Sequence, residues 1–316
     1  MQLQLIDAAQ VRARLSMREC IEEMAVAMKA VTAGTIAAPP RIIMPLVDAS
    51  GFLAVMPGSA SEPRVYGVKI VSLHPGNPAH GRPAVQGFVV LFDHDTGAPL
   101  ALVDGGEITA FRTAAASALA TRVLARANAR TLGILGCGVQ AASHLEAISS
   151  VRDISEVRVW GRSYAKAQAF VARHGDASRV QIHAVRGAED AAACDIVCAV
   201  TGAHEPLVKG EWLRPGCHVN LVGAHSASTR EADTALIAGA SVFVDSMDAA
   251  FREAGDILLP LQEGAIDRAH VKGEIGAVLL GRLTGRRNEE EITVYKSLGL
   301  VAQDLVAAHA VFAKGG

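Results

Sequence analysis

The chain has 316 residues, half of them hydrophobic and one-fifth charged, with a formal net charge of −2. This allows two domains of ordinary size, each with its own core. It argues against a nucleic-acid or membrane-surface partner, and no apolar run reaches the ~20 residues of a membrane span.

Residues 2–6 alternate as a short strand. Ser16 and Glu19 stand at capping-box spacing and predict a helix over 17–32. Pro39-Pro40 forbids helix, and Arg41 opens a strand-like run. Apolar, β-branched runs at 52–56, 66–73, 85–93 and 99–103 predict strands, with DHDTG at 93–97 as a hairpin turn. HPGNPAHGRP, at 74–83, predicts a long loop of the kind that often carries function. An Ala-rich stretch predicts a helix over 107–127, with Arg112 and Thr113 near its start. From 131 the texture changes. Short strands at 131–135, 156–160, 180–184, 196–199, 219–222 and 242–244 alternate with helices, two of them at 140–149 and 164–174. This alternation predicts right-handed βαβ units and a doubly wound parallel sheet, an α/β fold. Residues 294–313 predict one long helix that can pack back onto the N-terminal part, making that domain discontinuous.

The stretch RTLGILGCGVQAA, at 130–142, reads as strand, glycine turn and helix start. Gly136, Gly138 and Ala141 fit G-x-G-x-x-A. Gly136 serves the tight turn, Gly138 leaves room for a pyrophosphate, and Ala141 lets helix and strand pack closely. The free N–H groups of the helix start favour phosphate. Alone the motif also fits an ordinary turn; its βαβ surroundings predict a dinucleotide site. After the second strand, where an NAD site normally offers an acid, this chain has Gly161, Arg162 and Ser163. Arg and Ser suit a 2′-phosphate, so NADP(H) is expected ahead of NAD(H); the alternative is a surface arginine in a loop. Thr201, past the fourth strand, reads either as a ribose or nicotinamide contact or as a simple turn. Val222, ending the run 219–222, joins the cofactor candidates.

Arg41, Lys69 and Arg112 are cations in apolar settings. Lys69 lies inside the strand YGVKIVSL, where a charge needs a partner or a purpose. Together they suit a carboxylate substrate, with a strand lysine able to exchange a proton; alternatively they are three unrelated surface cations. His225 reads as a group near the nicotinamide end or as a solvent-facing loop residue. Lys296 and Ser297, at the start of the expected last helix, are placed near the same site. Five cysteines, an odd number, predict free thiols in a reduced, cytoplasmic setting. No zinc-site spacing, hydrolase elbow or Walker motif is evident, and no metal is expected. No signal peptide is evident in MQLQLIDAAQ.

The segments GVKIVSLHPGNP, FRTAAASALAT, LGILGCGVQAASH and EITVYKSLGL resemble the ornithine cyclodeaminase/mu-crystallin family, in order and over nearly the whole chain. The resemblance implies a discontinuous α+β substrate and dimerisation domain at 1–118 and 294–316, a Rossmann domain at 119–293, and a homodimer. It implies substrate-carboxylate contacts at Arg41, Lys69 and Arg112, and cofactor contacts at Arg112, Thr113, Val139, Gln140 and Thr201. Cyclodeaminases carry acids where this chain has Ala54 and His225, so a diamino-acid substrate is disfavoured. The expectation is an NAD(P)H-dependent reductase of small cyclic imino acids, Δ1-pyrroline-2-carboxylate and Δ1-piperideine-2-carboxylate, with Lys69 catalytic. An alanine dehydrogenase, an ornithine cyclodeaminase and a non-catalytic NADPH-linked ligand carrier are the alternatives.

Overall fold

The computed structural model describes residues 3–175 and 180–315; Gln2, in the first expected strand, lies outside them. Contacts divide the chain into two compact units, Met1–Arg112 with Gly299–Gly316, and Thr113–Leu298.

The first unit runs β1 (Gln4–Ile6), α1 (Ala8–Arg14), α2 (Met17–Ala33), β2 (Ile36–Ala37), β3 (Ile42–Pro45), β4 (Phe52–Ala60), β5 (Val65–Leu73), β6 (Val85–Asp93), β7 (Pro99–Asp104) and the start of α3 (Gly105–Leu124). Ser16 and Glu19 form the expected capping box on α2, satisfying two backbone N–H groups at the helix start. The strands form one seven-stranded sheet in the order β1-β7-β6-β5-β4-β2, with β3 also paired to β4. β4, β5, β6 and β7 are antiparallel neighbours, and the turn at 93–97 joins the last two as a hairpin. The C-terminal helix Val301–Ala313 packs on β4, β5 and β6. Gly58 and Gly67 admit it: a Cβ on Gly58 would lie 2.6 Å from Val301 Cγ1, and one on Gly67 3.1 Å from Leu305 Cδ2. The strand faces alternate, so Val65, Lys69 and Val71 of β5 are buried while Ile70 is exposed.

The second unit holds the remainder of α3, then β8 (Thr131–Leu135), α4 (Val139–Val151), β9 (Glu156–Trp160), α5 (Tyr164–His174), β10 (Gln181–Ala184), α6 (Ala188–Ala192), β11 (Ile196–Ala199), β12 (His218–Leu221), α7 (Thr234–Gly239), β13 (Ser241–Val244), α8 (Met247–Glu253), α9 (Gly255–Gln262), β14 (Val271–Glu274), α10 (Ile275–Leu279) and β15 (Thr293–Lys296). All eight strands are parallel, in the order β10-β9-β8-β11-β12-β15-β13-β14. This is the expected doubly wound sheet. The order reverses at β8, whose C-terminal end is therefore the switch point where ligands bind.

The C-terminal stretch differs from expectation. Residues 294–313 are not one helix. Thr293, Val294, Tyr295 and Lys296 form β15, inserted between β12 and β13 and fully buried. β-Branched and aromatic residues favour this site. Gly299, at φ +79°, then turns the chain before the helix starts at Val301. Lys296 and Ser297 thus follow the sheet and do not begin a helix. Among the described residues no helix is long and apolar enough to cross a membrane.

Candidate active site

In the first unit the three expected cations come together. Lys69 is 2% exposed, and its Nζ donates to Asp304 Oδ1 at 2.9 Å. Arg112 Nε donates to the same oxygen at 3.0 Å, and Arg112 Nη1 donates to Gln303 Oε1 at 2.7 Å. Arg41 Nη2 donates to the Gly299 carbonyl at 2.8 Å. The Arg112 guanidinium lies against Gly299, where a Cβ would sit 2.2 Å from Nη1. Glycine is thus needed there twice, for its positive φ and for the guanidinium. Lys69 and Arg112 share one oxygen of Asp304, and Arg41 is held on the Gly299 carbonyl beside the Arg112 guanidinium, a grouping of cations that suits an anionic ligand.

Two effects compete at Lys69. Burial lowers its pKa and Asp304 raises it, while Arg112 and Arg41 lower it further. Burial wins, and the pKa falls to about 8. The group is protonated at neutral pH but poised to release the proton. Sequence reasoning missed Asp304 and Gln303. The signal was an Asp in the apolar run LVAQDLVAAHAVF, where a buried charge demands a partner.

In the second unit Gly136 has φ +131°, and a Cβ there would meet Val200 O at 2.7 Å. Gly138 caps α4 with extended backbone, and a Cβ on it would meet nothing within 4 Å. That open approach to a helix N-terminus fits a pyrophosphate. Val139 is exposed at the first helical position, next to Gln140, and Ala141 is fully buried. Arg162 is exposed at the end of β9, and Ser163 precedes α5 without using its side chain as a cap. The Arg186 guanidinium stacks on the Tyr164 ring at 4.1 Å and adds a cation beside α5 that sequence reasoning missed. Thr113 lies on α3, 6% exposed.

Past β11 and β12 the loops converge on a group that went unnoticed in the sequence. Glu231 is fully buried. Its Oε1 accepts from Thr201 N at 2.9 Å and Thr201 Oγ1 at 2.8 Å. Its Oε2 accepts from Val222 N at 3.2 Å and Gly223 N at 2.6 Å. The Thr201 hydroxyl is therefore turned to Glu231. Burial pushes the Glu231 carboxyl up, and Lys296 and Thr201 oppose the shift. His225 is exposed, with Nδ1 3.0 Å from Gly223 O. Ser297 is buried, and its Oγ has no hydrogen-bond partner among the described residues. Cys194 and Cys198 are core thiols, pushed by burial to about 11 and about 12.

A doubly wound parallel sheet with this glycine turn at its switch point, in a chain whose other unit carries a buried cation cluster, defines the class: an NAD(P)-dependent oxidoreductase. The chain belongs to the ornithine cyclodeaminase/mu-crystallin family, whose model matches residues 2–315. It is 40% identical over 283 residues to the ketimine reductase mu-crystallin of Mus musculus, covering 88% of this chain and 85% of the relative. Its fold matches the structure of Thermococcus litoralis Δ1-pyrroline-2-carboxylate reductase in complex with NADH and L-proline, with TM-score 0.96, 36% identity, and 99% and 97% of the two chains covered. It also matches an archaeal alanine dehydrogenase dimer with bound NAD, with TM-score 0.93, 33% identity, and 100% and 96% covered.

Proposed function

We propose that the protein reduces small cyclic imino acids, Δ1-pyrroline-2-carboxylate to L-proline and Δ1-piperideine-2-carboxylate to L-pipecolate. The observation that carries this reading is Lys69, a buried ammonium with its pKa lowered to about 8, grouped with Arg41 and Arg112 around Asp304 and Gly299. Arg41 and Arg112 hold the substrate carboxylate. The Lys69 ammonium gives its proton to the ring nitrogen, which makes the C=N carbon electrophilic. A nicotinamide cofactor, when bound, would supply the hydride for that carbon. The fixed arginines lower the barrier by positioning. The similarity to a ketimine reductase and to a Δ1-pyrroline-2-carboxylate reductase supports the substrate class.

For the cofactor, Gly136, Gly138, Val139 and Gln140 receive the pyrophosphate. Arg162 and Ser163 receive a 2′-phosphate, so NADP(H) is preferred. Thr113, Thr201, Val222 and Ser297 of the second unit attend the nicotinamide half, with His225 at its margin. Ala54 and His225 supply no carboxylate for a second substrate amine, which disfavours a cyclodeaminase. The five free cysteines suit a reducing, cytoplasmic setting. Assays of both cyclic imines with NADPH and with NADH test the reading. Turnover without added ammonia, faster with NADPH, is expected; a clear NADH preference would remove the role given to Arg162 and Ser163.

We also propose a homodimer built on the open sheet face of the first unit. Val55, Ile70 and Phe88 form one cross-strand row, and Pro57, Val68, Val90 and Leu102 a second. Ile70 and Phe88 are 38% and 42% exposed. An apolar sheet face of this kind marks an association surface. Sedimentation equilibrium should give a dimer for the wild type and a monomer for Ile70→Asp. A monomeric wild type would contradict the assembly.

A further inference from the structure

We propose that Glu231 is a positioning residue: by clasping the Thr201 loop to the Val222–Gly223 loop, its carboxylate sets the floor on which the nicotinamide half of the cofactor rests. The inference rests on the reading that the dinucleotide crosses the strand ends with its adenine half toward β9 and its nicotinamide half toward β11 and β12.

The carboxylate is fully used. Each oxygen accepts two donors, one pair from the loop after β11 and one pair from the loop after β12. The loops are also in close contact: a Cβ on Gly223 would sit 1.9 Å from Thr201 O and 2.5 Å from Glu231 Oε1. A second tier holds Glu231 itself. Asp256 Oδ1 accepts from the backbone N–H groups of Glu231 and Ala232 at 2.8 and 2.9 Å. Asp256 Oδ2 pairs with Lys296 Nζ at 2.8 Å, and that ammonium also donates to the Ala224 carbonyl. Thus Glu231, Asp256 and Lys296, all fully buried, tie the ends of β11, β12 and β15 together. A buried carboxylate is costly, and a plain strand end can be closed by backbone bonds alone. An anion that joins two ligand-facing loops, and is itself held by two further charges, fits the rigid support that a binding surface requires.

The test is binding, read apart from turnover. Dissociation constants are measured by fluorescence for the reduced dinucleotide that the wild type binds tighter, NADPH or NADH. The same is done by competition for ADP-ribose carrying the same 2′ substituent, which lacks the nicotinamide. Glu231→Gln replaces one acceptor oxygen with an NH2 group and unclasps one loop. It is expected to weaken the dinucleotide roughly tenfold, the effect of losing one charge-assisted bond, and to leave the ADP-ribose fragment within about twofold. Thr201→Val removes a single donor with little change of shape and is expected to act in the same sense by about threefold. It decides the matter should Glu231→Gln not fold. Unchanged affinity for both molecules, or equal loss of both, would overturn the positioning role. The wild-type ratio tests the underlying reading separately: equal affinity for dinucleotide and fragment would overturn the placement of the nicotinamide half, and the inference with it.

Discussion

Replacing Lys69 with alanine is expected to lower imine reduction by roughly 10²–10⁴-fold, the range lost when a positioned proton donor is removed, while NADPH binding stays at wild-type strength. Lys69 is the only candidate cation on the inner face of β5, and its ammonium is held on Asp304 Oδ1. Lys69→Arg separates charge from proton transfer. A guanidinium keeps the charge but does not give up a proton near neutrality, so this variant should be as impaired as the alanine. The wild-type pH profile should follow the same group. Reduction needs the ammonium and should fall as pH rises through about 8; oxidation of L-proline needs the neutral amine and should rise there. The effect on stability has a definite sign. Below pH 8 folded and unfolded chains both carry the proton, and the burial cost is fully present. Between about 8 and the ordinary 10.5 only the unfolded chain keeps it, so stability rises with pH in that window. Lys69→Ala should lose this rise. Undiminished turnover in Lys69→Ala would remove the residue from the mechanism.

Asp304→Asn is expected to destabilise the protein by about 3–5 kcal/mol, the cost of leaving buried charge without its counter-ion. The substitution keeps the shape and one acceptor but removes the carboxylate that Lys69 and Arg112 share. Removing the carboxylate also removes what holds the Lys69 pKa up, so the alkaline limb of reduction should move to lower pH. Adding Lys69→Met to Asp304→Asn should recover part of the lost stability, because one uncompensated charge is gone. Chemical denaturation measures both. A loss below about 1 kcal/mol, as for a surface pair, would mean that Asp304 does not neutralise the cluster.

Much of this was legible in the sequence where the signal is local. The glycine turn, with β8, β9, α5 and β11 around it, needs only short-range sterics and apolar periodicity, and these elements stand where the pattern predicts them. Lys69 was legible because a charge inside an apolar strand is conspicuous. Its partner was harder to see. Asp304 lies 235 residues away, and sequence alone does not say which face of the last helix meets which strand. β15 was misread because TVYK runs into an Ala/Val/Leu-rich helix, and only its place between β12 and β13 makes it a strand. The elements from α7 to α10 are short, and α9 contains Pro260, so periodicity had too few turns in which to appear. Glu231 gave no signal in VGAHSASTRE, because a carboxylate becomes a clasp only when two strand ends are brought beside it.

The cluster of Arg41, Lys69 and Arg112 is proposed to act on a preformed cyclic imine. The most direct measurement is NADPH oxidation by the wild type with Δ1-pyrroline-2-carboxylate and Δ1-piperideine-2-carboxylate, set against pyruvate plus ammonia. Turnover of the cyclic imines with no ammonia present, and little with pyruvate, is expected. Oxidation that requires ammonia and pyruvate, ammonia release from ornithine without net NADPH use, or tight NADPH binding with no oxidation of any of these substrates would contradict it.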